Sequence, residues 1–319
     1  MSTPGYAGRI AADADPVVPI VRPPRRLTRR HLLSIGIPLV CLVALAVTVF
    51  SRRDTFVHAL ESTPLWLLAA AIALQLVALL ARSEAWLLCV GAAGSTIPRR
   101  GVFHASGIGG LVGIVNGPAG VAARIATLRR SAPSQCPRAG TIVAAEIPIV
   151  AVEVVLAALT SFTLLGPLGL PWWAPVLCAV GASAAVIALT RVALRREEGL
   201  WSGLAVLRTL NGRGRIVGLV LIAVFSQIAR NWLALHAIGV DASLFDAIAV
   251  LIAMVTLSQL PLGPSVGAAA VILILGANGV ALTAAAGVLL SATGMAGTLC
   301  FGAWALGDRF RLRPIRGLA

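Results

Sequence analysis

Among the few ionisable side chains within or beside the long apolar segments of the sequence, where charges are rare, five are candidates for a functional site. They are Arg82, Arg124, Glu146, Glu153 and Arg230. A charged group at membrane depth usually faces a partner group or a wet cavity, and it often marks a functional site. The planar guanidinium of arginine matches phosphate and carboxylate groups with two parallel hydrogen bonds. These residue types therefore predict an anion site inside a membrane.

The two glutamates form one feature because they are seven residues apart, so a helix places them on one face. The candidate partners of Glu146 and Glu153 are Arg124 and Arg230. In the functional interpretation, the carboxylates balance the charge of a bound anion or contact an amine. Two alternatives stay open, namely a purely structural ion pair and proton coupling through either glutamate.

The stretch Ile114–Arg130, IVNGPAGVAARIATLRR, is an apolar segment broken at Gly117-Pro118. Pro118 lacks an N–H group and ends the incoming helix, and we expect a new helix to begin after Gly120. A helix start offers free N–H groups and the positive end of the helix dipole, which together bind anions. Arg124, on the first turns, would add a bidentate contact. The alternative is that Arg124 lies near the surface and only extends its head into water.

A second polar face and a second break follow in the later half of the chain. Gln227, Arg230 and Asn231 stand at positions i, i+3 and i+4, which share a helix face, and Gly263-Pro264 interrupts a later apolar segment. Each half also contains an Ala-Arg pair followed by a Gly-Pro pair. Ala229-Arg230 lies 148 residues after Ala81-Arg82, and Gly263-Pro264 lies 146 residues after Gly117-Pro118. Broken helices in an inverted repeat indicate a transporter with its site at the repeat interface. The alternative is coincidence, since Gly-Pro pairs are common in such a chain.

Composition places these residues in a multi-pass helical membrane protein. The chain has 319 residues, of which 58% are hydrophobic and 12% charged, and its mean hydropathy is +0.93. Continuous apolar runs of about 20 residues span a bilayer as helices, whereas barrel strands alternate. The net charge of +14 comes from arginines between these runs, which is typical of topology signals rather than nucleic-acid binding.

The distribution of arginines predicts the topology. Residues 1–30 form a disordered cytoplasmic tail, residues 31–307 the membrane domain and residues 308–319 a second cytoplasmic tail. The expected fold class is all-α, a polytopic helix bundle with two re-entrant hairpins and both termini in the cytoplasm of a bacterium. The six predicted crossings are His31–Phe50, Leu65–Ala93, Ala139–Leu165, Ala174–Thr190, Ile216–Ile238 and Ala281–Leu306, and the hairpins are Gly101–Arg130 and Leu244–Leu275.

Several motifs resemble the lysylphosphatidylglycerol synthase transmembrane-region family. They are R-S-E-A-W from Arg82, the broken segment with Asn116, Pro118, Gly120 and Arg124, the run Leu128-Arg129-Arg130, Glu146 in the next helix, and LPLGPSVG over Leu260–Gly267. The similarity covers about residues 31–307. The chain departs from the family at Val121-Ala122 and Ala268–Ala270, where glutamates are common. The resemblance implies a flippase-like domain, without the soluble synthase domain, that moves a lipid or lipid-linked headgroup between leaflets.

The expected function is therefore a lipid translocator whose partners are membrane lipids with anionic or phosphate-bearing headgroups. The expected substrate-binding residues are Arg82, Asn116, Gly117, Pro118, Gly120, Arg124, Glu146, Glu153, Gln227, Arg230, Asn231, Gly263 and Pro264. A proton-coupled transporter of small solutes is one alternative, and a scaffold for a separate envelope synthase or glycosyltransferase is another. No catalytic constellation, metal-ligand set or cofactor loop is present in the sequence, so we expect neither an enzyme nor a cofactor.

Overall fold

The computed structural model describes residues 63–115, 117–131, 136–195, 199–257, 266–276 and 280–311, and all regular elements in these ranges are helical. The α-helices are α1 (Leu65–Ala92), α2 (Arg99–Val115), α3 (Gly117–Ser131), α4 (Ala139–Ala144), α5 (Ile147–Thr160), α6 (Leu165–Leu168), α7 (Trp173–Arg195), α8 (Leu210–Ala237), α9 (Leu244–Leu257), α10 (Val266–Leu275) and α11 (Val280–Arg311). Two 3₁₀ segments, Ser161–Leu164 and Gly199–Arg208, connect them.

Five of these helical stretches have the length and apolar composition of membrane-spanning helices. They are Leu65–Ala92, Ala139–Leu168, Trp173–Arg195, Asn211–Ala237 and Thr283–Asp308. An apolar stretch of about 20 residues is long enough to cross the hydrocarbon core. Five of the six predicted crossings are thus confirmed as helical stretches long and apolar enough to span a membrane, while His31–Phe50 lies outside the described residues. The helices are those of a multi-pass membrane protein.

Helices α2 and α3 pack antiparallel and very closely. A Cβ atom on Gly120 would lie 2.7 Å from the carbonyl oxygen of Gly109 and 2.7 Å from the Cα of Gly113. At the other end of the pair, Gly101 lies beside Ser131, since a Cβ on Gly101 would come within 3.9 Å of the Ser131 hydroxyl oxygen. Because glycine has no side chain, the two backbones approach each other as in small-residue membrane interfaces.

The predicted start of the helix at Gly120 is wrong. Helix α3 already begins at Gly117, so Pro118 lies in its first turn. The fixed φ of proline suits that position, and the N–H it lacks would have no partner there anyway. Arg124 therefore lies seven residues, or about 10 Å, from the helix start.

The crossing predicted as one helix over Ala139–Leu165 is interrupted at Ala145-Glu146, between α4 and α5. The cause is Pro148, which cannot donate a hydrogen bond to Ala144 and whose ring would clash with that carbonyl group. The chain tightens instead, and the Glu146 N–H donates to the Val143 carbonyl over 3.1 Å. The carboxylate of Glu146 is therefore carried on a bend.

The core of the described residues consists of two large apolar clusters and a small one, formed by Ala78 and Ala81 of α1 and Ala223 of α8. One large cluster, built from α8 to α11, is centred on Leu235, Val250 and Leu290. The other large cluster surrounds Trp86 and Leu128 and includes residues of α1, α2, α3, α4 and α8. Helices α1 and α8 pack against each other between the clusters. Helix α1 therefore borders both the α2–α3 pair and the later half of the bundle.

The close approach of α2 and α3 predicts a steric effect at Gly120. Substitution Gly120→Ala places a methyl group against two backbone segments, so we expect the free energy of unfolding to fall by about 1–3 kcal/mol. Unfolding in mixed detergent micelles, followed by circular dichroism, measures this change. The matched control is Gly117→Ala on the same helix, where a Cβ would meet no atom within 4 Å. Equal stabilities of the two variants would contradict the packing described.

Candidate functional site

A cleft of about 200 Å³ lies between α1, α2 and α3 and is bordered by Phe301 of α11. Five glycines form much of its wall, so backbone rather than side chains faces the space. The residues that line it are Leu79, Arg82, Ser83, Ser106, Gly109, Gly110, Gly113, Gly117, Gly120, Val121, Arg124 and Phe301. Its two charged residues are both arginines, which gives the cleft a cationic end.

Arg124 is held in this cleft by three neighbours. Its Nη1 lies 2.6 Å from Oε1 of Glu146, and its guanidinium carbon lies 3.5 Å from the ring centroid of Trp86. A Cβ on Gly109 would lie 2.7 Å from the Cβ of Arg124, so only glycine fits opposite it. The side chain of Arg124 is 16% exposed. The guanidinium is thus fixed in the bundle rather than extended to the surface.

Arg82 forms the second ion pair, with Glu153 of α5. Its Nη1 lies 3.0 Å from Oε1 and its Nη2 donates to Oε2 over 3.1 Å, which is the bidentate geometry typical of arginine and carboxylate. The side chain of Arg82 is 45% exposed, so this pair is much more accessible than the pair at Arg124. The four charges of the two pairs sum to zero, which suits a site inside an apolar bundle.

Several polar atoms around the cleft have no hydrogen-bond partner in the part of the chain that the structure describes. They include Nε of Arg124, the hydroxyl of Ser106 and the indole nitrogen of Trp86, and all three are buried. Unpaired buried donors are unfavourable and are rare in folded proteins. A ligand with anionic oxygens would supply acceptors for them, and it would compete with Glu146 for the guanidinium of Arg124.

The predicted polar face on α8 lies apart from the cleft. Arg230 and Asn231 are buried, Gln227 is partly buried, and none of the three lines the cleft. Arg230 was a candidate partner of the glutamates, but it bonds neutral amides instead. Its Nη1 donates to Oε1 of Gln75, and its Nη2 donates to Oδ1 of Asn231 over 3.1 Å.

The structure therefore brings together part of the predicted set. Arg82, Gly117, Gly120 and Arg124 line one cleft, and Glu146 and Glu153 are the ion-pair partners of its arginines. The backbone of Pro118 lies in the first turn of α3. Asn116, Gly263 and Pro264 lie outside the described residues, so the second break stays a prediction.

Sequence reasoning missed Trp86, Ser106 and Gln75 as members of these polar sites. The sequence did contain a pattern that indicates Gln75 and Trp86. These two residues lie seven positions before and four positions after Arg82, so all three share one face of α1. The part played by Ser106 depends on the pairing of α2 with α3, and no local pattern indicates it.

Comparison with protein-family models, with curated proteins and with solved structures finds no match for this chain. The resemblance to the lysylphosphatidylglycerol synthase transmembrane-region family and the inverted repeat therefore stay predictions.

The different burial of the two ion pairs predicts different coupling energies. We expect about 3 kcal/mol for the pair Arg124–Glu146, because removing one partner leaves a largely buried charge. For Arg82–Glu153 we expect about 1 kcal/mol or less, because water screens the exposed arginine. Two double-mutant cycles, with Arg124→Met and Glu146→Gln and with Arg82→Met and Glu153→Gln, measure both energies from unfolding in mixed micelles. Equal coupling in the two cycles would contradict this difference.

Proposed function

We propose that this protein moves lipids with phosphate-bearing headgroups between the leaflets of a bacterial cytoplasmic membrane. The observation that carries the proposal is the pair of arginines in a glycine-walled cleft between apolar helices. Arg82 is accessible from outside the cleft, and Arg124 lies deeper, with an unpaired Nε. A phosphate group entering the cleft meets the more exposed arginine first and the more buried one second.

The surroundings of the cleft favour a lipid over a small solute. Large apolar side chains are exposed on all three helices that form it, namely Leu80 on α1, Val112 on α2 and Val121 on α3. Val121 also lines the cleft. Such a surface is stable in contact with hydrocarbon, whereas a path for solutes would be lined by polar groups. A headgroup can thus enter the cleft while its acyl chains remain in the bilayer.

The neutral charge balance of the site allows an exchange of partners. Phosphate binds Arg124 in place of the Glu146 carboxylate, and the guanidinium keeps its contact with the Trp86 ring. The released carboxylate is then available to a cationic part of the same headgroup. Because Glu146 lies on the bend between α4 and α5, a small change of that bend would move it away from Arg124.

The ends of α2 and α3 support a re-entrant arrangement. Arg99 and Arg100 begin α2, while Arg129 and Arg130 lie in the last turn of α3. The packing of Gly101 against Ser131 brings these basic groups to the same end of the pair. Positive residues favour the cytoplasmic side, so the pair would enter and leave the membrane there. The cleft would then open within the cytoplasmic half.

Leaflet exchange in proteoliposomes tests the proposal. The probe is a fluorescent phosphatidylglycerol, whose outer-leaflet fraction is quenched by dithionite. We expect the wild-type protein to accelerate exchange relative to protein-free vesicles. We expect Arg124→Gln to slow exchange by about tenfold or more, since a hydrogen bond to a charged group contributes about 1.5–3 kcal/mol.

The matched control is Arg195→Gln, at the exposed end of α7 and outside the cleft, which should exchange lipid like the wild type. Only variants that unfold cooperatively in micelles are compared. If the wild-type protein moves neither phosphatidylglycerol nor a lipid-linked sugar faster than empty vesicles do, the proposed function is wrong.

A further inference from the structure

Arg230 carries a buried charge that no carboxylate offsets in the described part of the chain. The residue is 4% exposed, and its two side-chain acceptors, the amide oxygens of Gln75 and Asn231, are both neutral. A cation withdrawn from water is stable only beside an anion or in a full set of hydrogen bonds. The site therefore carries one positive charge more than its own residues balance.

Two hydrogen-bond donors at this place are also unpaired. Nε of Arg230 and Nδ2 of Asn231 are buried and have no partner among the described residues, and Asn231 is fully buried. Nη2 and Nε lie on one edge of a guanidinium, and Oδ1 and Nδ2 belong to one amide. The Nη2–Oδ1 hydrogen bond thus joins the two groups that carry the unpaired donors. Two N–H donors beside a positive charge match an anionic oxygen group such as a phosphodiester.

The helix that covers this site contacts it with glycines. A Cβ on Gly294 of α11 would lie 3.0 Å from Nη1 of Arg230, and a Cβ on Gly297 would lie 2.6 Å from Cγ of Gln75. The backbone of α11 therefore rests directly on the polar pair. Because glycines have no side chains, α11 covers Arg230 and Gln75 with backbone alone at these two positions.

One face of α1 connects this site with the cleft. Gln75 precedes Arg82 by seven residues, which is two helical turns or about 10 Å. Leu79, between them on the same face, lines the cleft. A headgroup that leaves Arg82 and Arg124 along α1 thus reaches Arg230 within a distance shorter than half the hydrocarbon core of about 30 Å.

We propose that Gln75, Arg230 and Asn231 form a second anion site, which receives the phosphodiester of the lipid after the Arg82–Arg124 cleft. This inference rests on the proposed function. Among the described residues the second site has no carboxylate, and the passing phosphate is the anion that balances Arg230. The two sites then differ in kind: the first exchanges a glutamate for phosphate, and the second gains its counterion only during transport.

Two substitutions test this by giving Arg230 a permanent counterion. Asn231→Asp and Gln75→Glu are close in shape to the native residues, act from different helices, and each place a carboxylate on the guanidinium. We expect each variant to unfold at the same temperature as the wild type or higher, and to exchange fluorescent phosphatidylglycerol at least about tenfold more slowly. Dihexanoyl phosphatidylglycerol should still stabilise both variants thermally, because the Arg82–Arg124 cleft is unchanged in them, and it should stabilise Arg124→Gln less than the wild type.

If Arg230 has only a structural role, the added carboxylate pairs with it and the rate of lipid exchange stays at the wild-type value. Exchange within about twofold of the wild-type rate, in either variant that folds, overturns the second site while the wild-type activity still supports lipid transport. Absence of exchange by the wild-type protein overturns both proposals. Uptake of radiolabelled orthophosphate by the same vesicles, without lipid exchange, overturns the assignment of the anion to a lipid.

Discussion

The pairing of Arg124 with Glu146 is the interaction on which the first site depends. A guanidinium among apolar helices needs a counterion, because it has lost the water that would otherwise solvate it. The carboxylate lies 2.6 Å away, and the Trp86 ring covers one face of the guanidinium. This requirement ties α3 to the bend between α4 and α5 and to the middle of α1. The glycine at position 109 completes the arrangement, since any side chain there would displace Arg124.

Close glycine contacts occur in both halves of the bundle, but the cavities beside them differ in the charge of their lining. In the later half, a Cβ on Gly287 of α11 would lie 2.3 Å from Cα of Ala268 on α10, so these helices also meet backbone to backbone. The described residues that line the neighbouring cavity between α10 and α11, such as Ser291 and Met295, include no ionisable group. Similar packing thus gives an apolar cavity there and a cationic cleft at Arg124. Both cavities lie beside helices that meet at glycines, and the arginines of the first cavity account for the difference between the two.

The sequence predicted the membrane class, five crossings, and Arg124 as a candidate partner of the two glutamates. These features depend on local properties, namely the length of apolar runs, the position of arginines between them, and the unfavourable energy of an unpaired charge in hydrocarbon. The sequence predicted the positions where helices are interrupted less accurately. Proline positions indicated that Gly117-Pro118 is irregular, but the helix begins before Pro118 rather than after Gly120. The bend before Pro148 was missed, although the missing N–H of that proline is a local cause.

The sequence by itself determined which residues are charged and which segments are apolar. It also determined where a proline removes a backbone hydrogen bond of a helix. Only the tertiary structure decided which charges meet. Arg82 and Arg230 look equivalent in the sequence, yet one bonds the Glu153 carboxylate and the other bonds two neutral amides. The reason is that the contacts with Glu153 and Gln75 join residues that are 71 and 155 positions apart in the sequence. Their geometry is set by how closely the glycine-bearing helices approach one another, and that distance depends on the packing of the whole bundle.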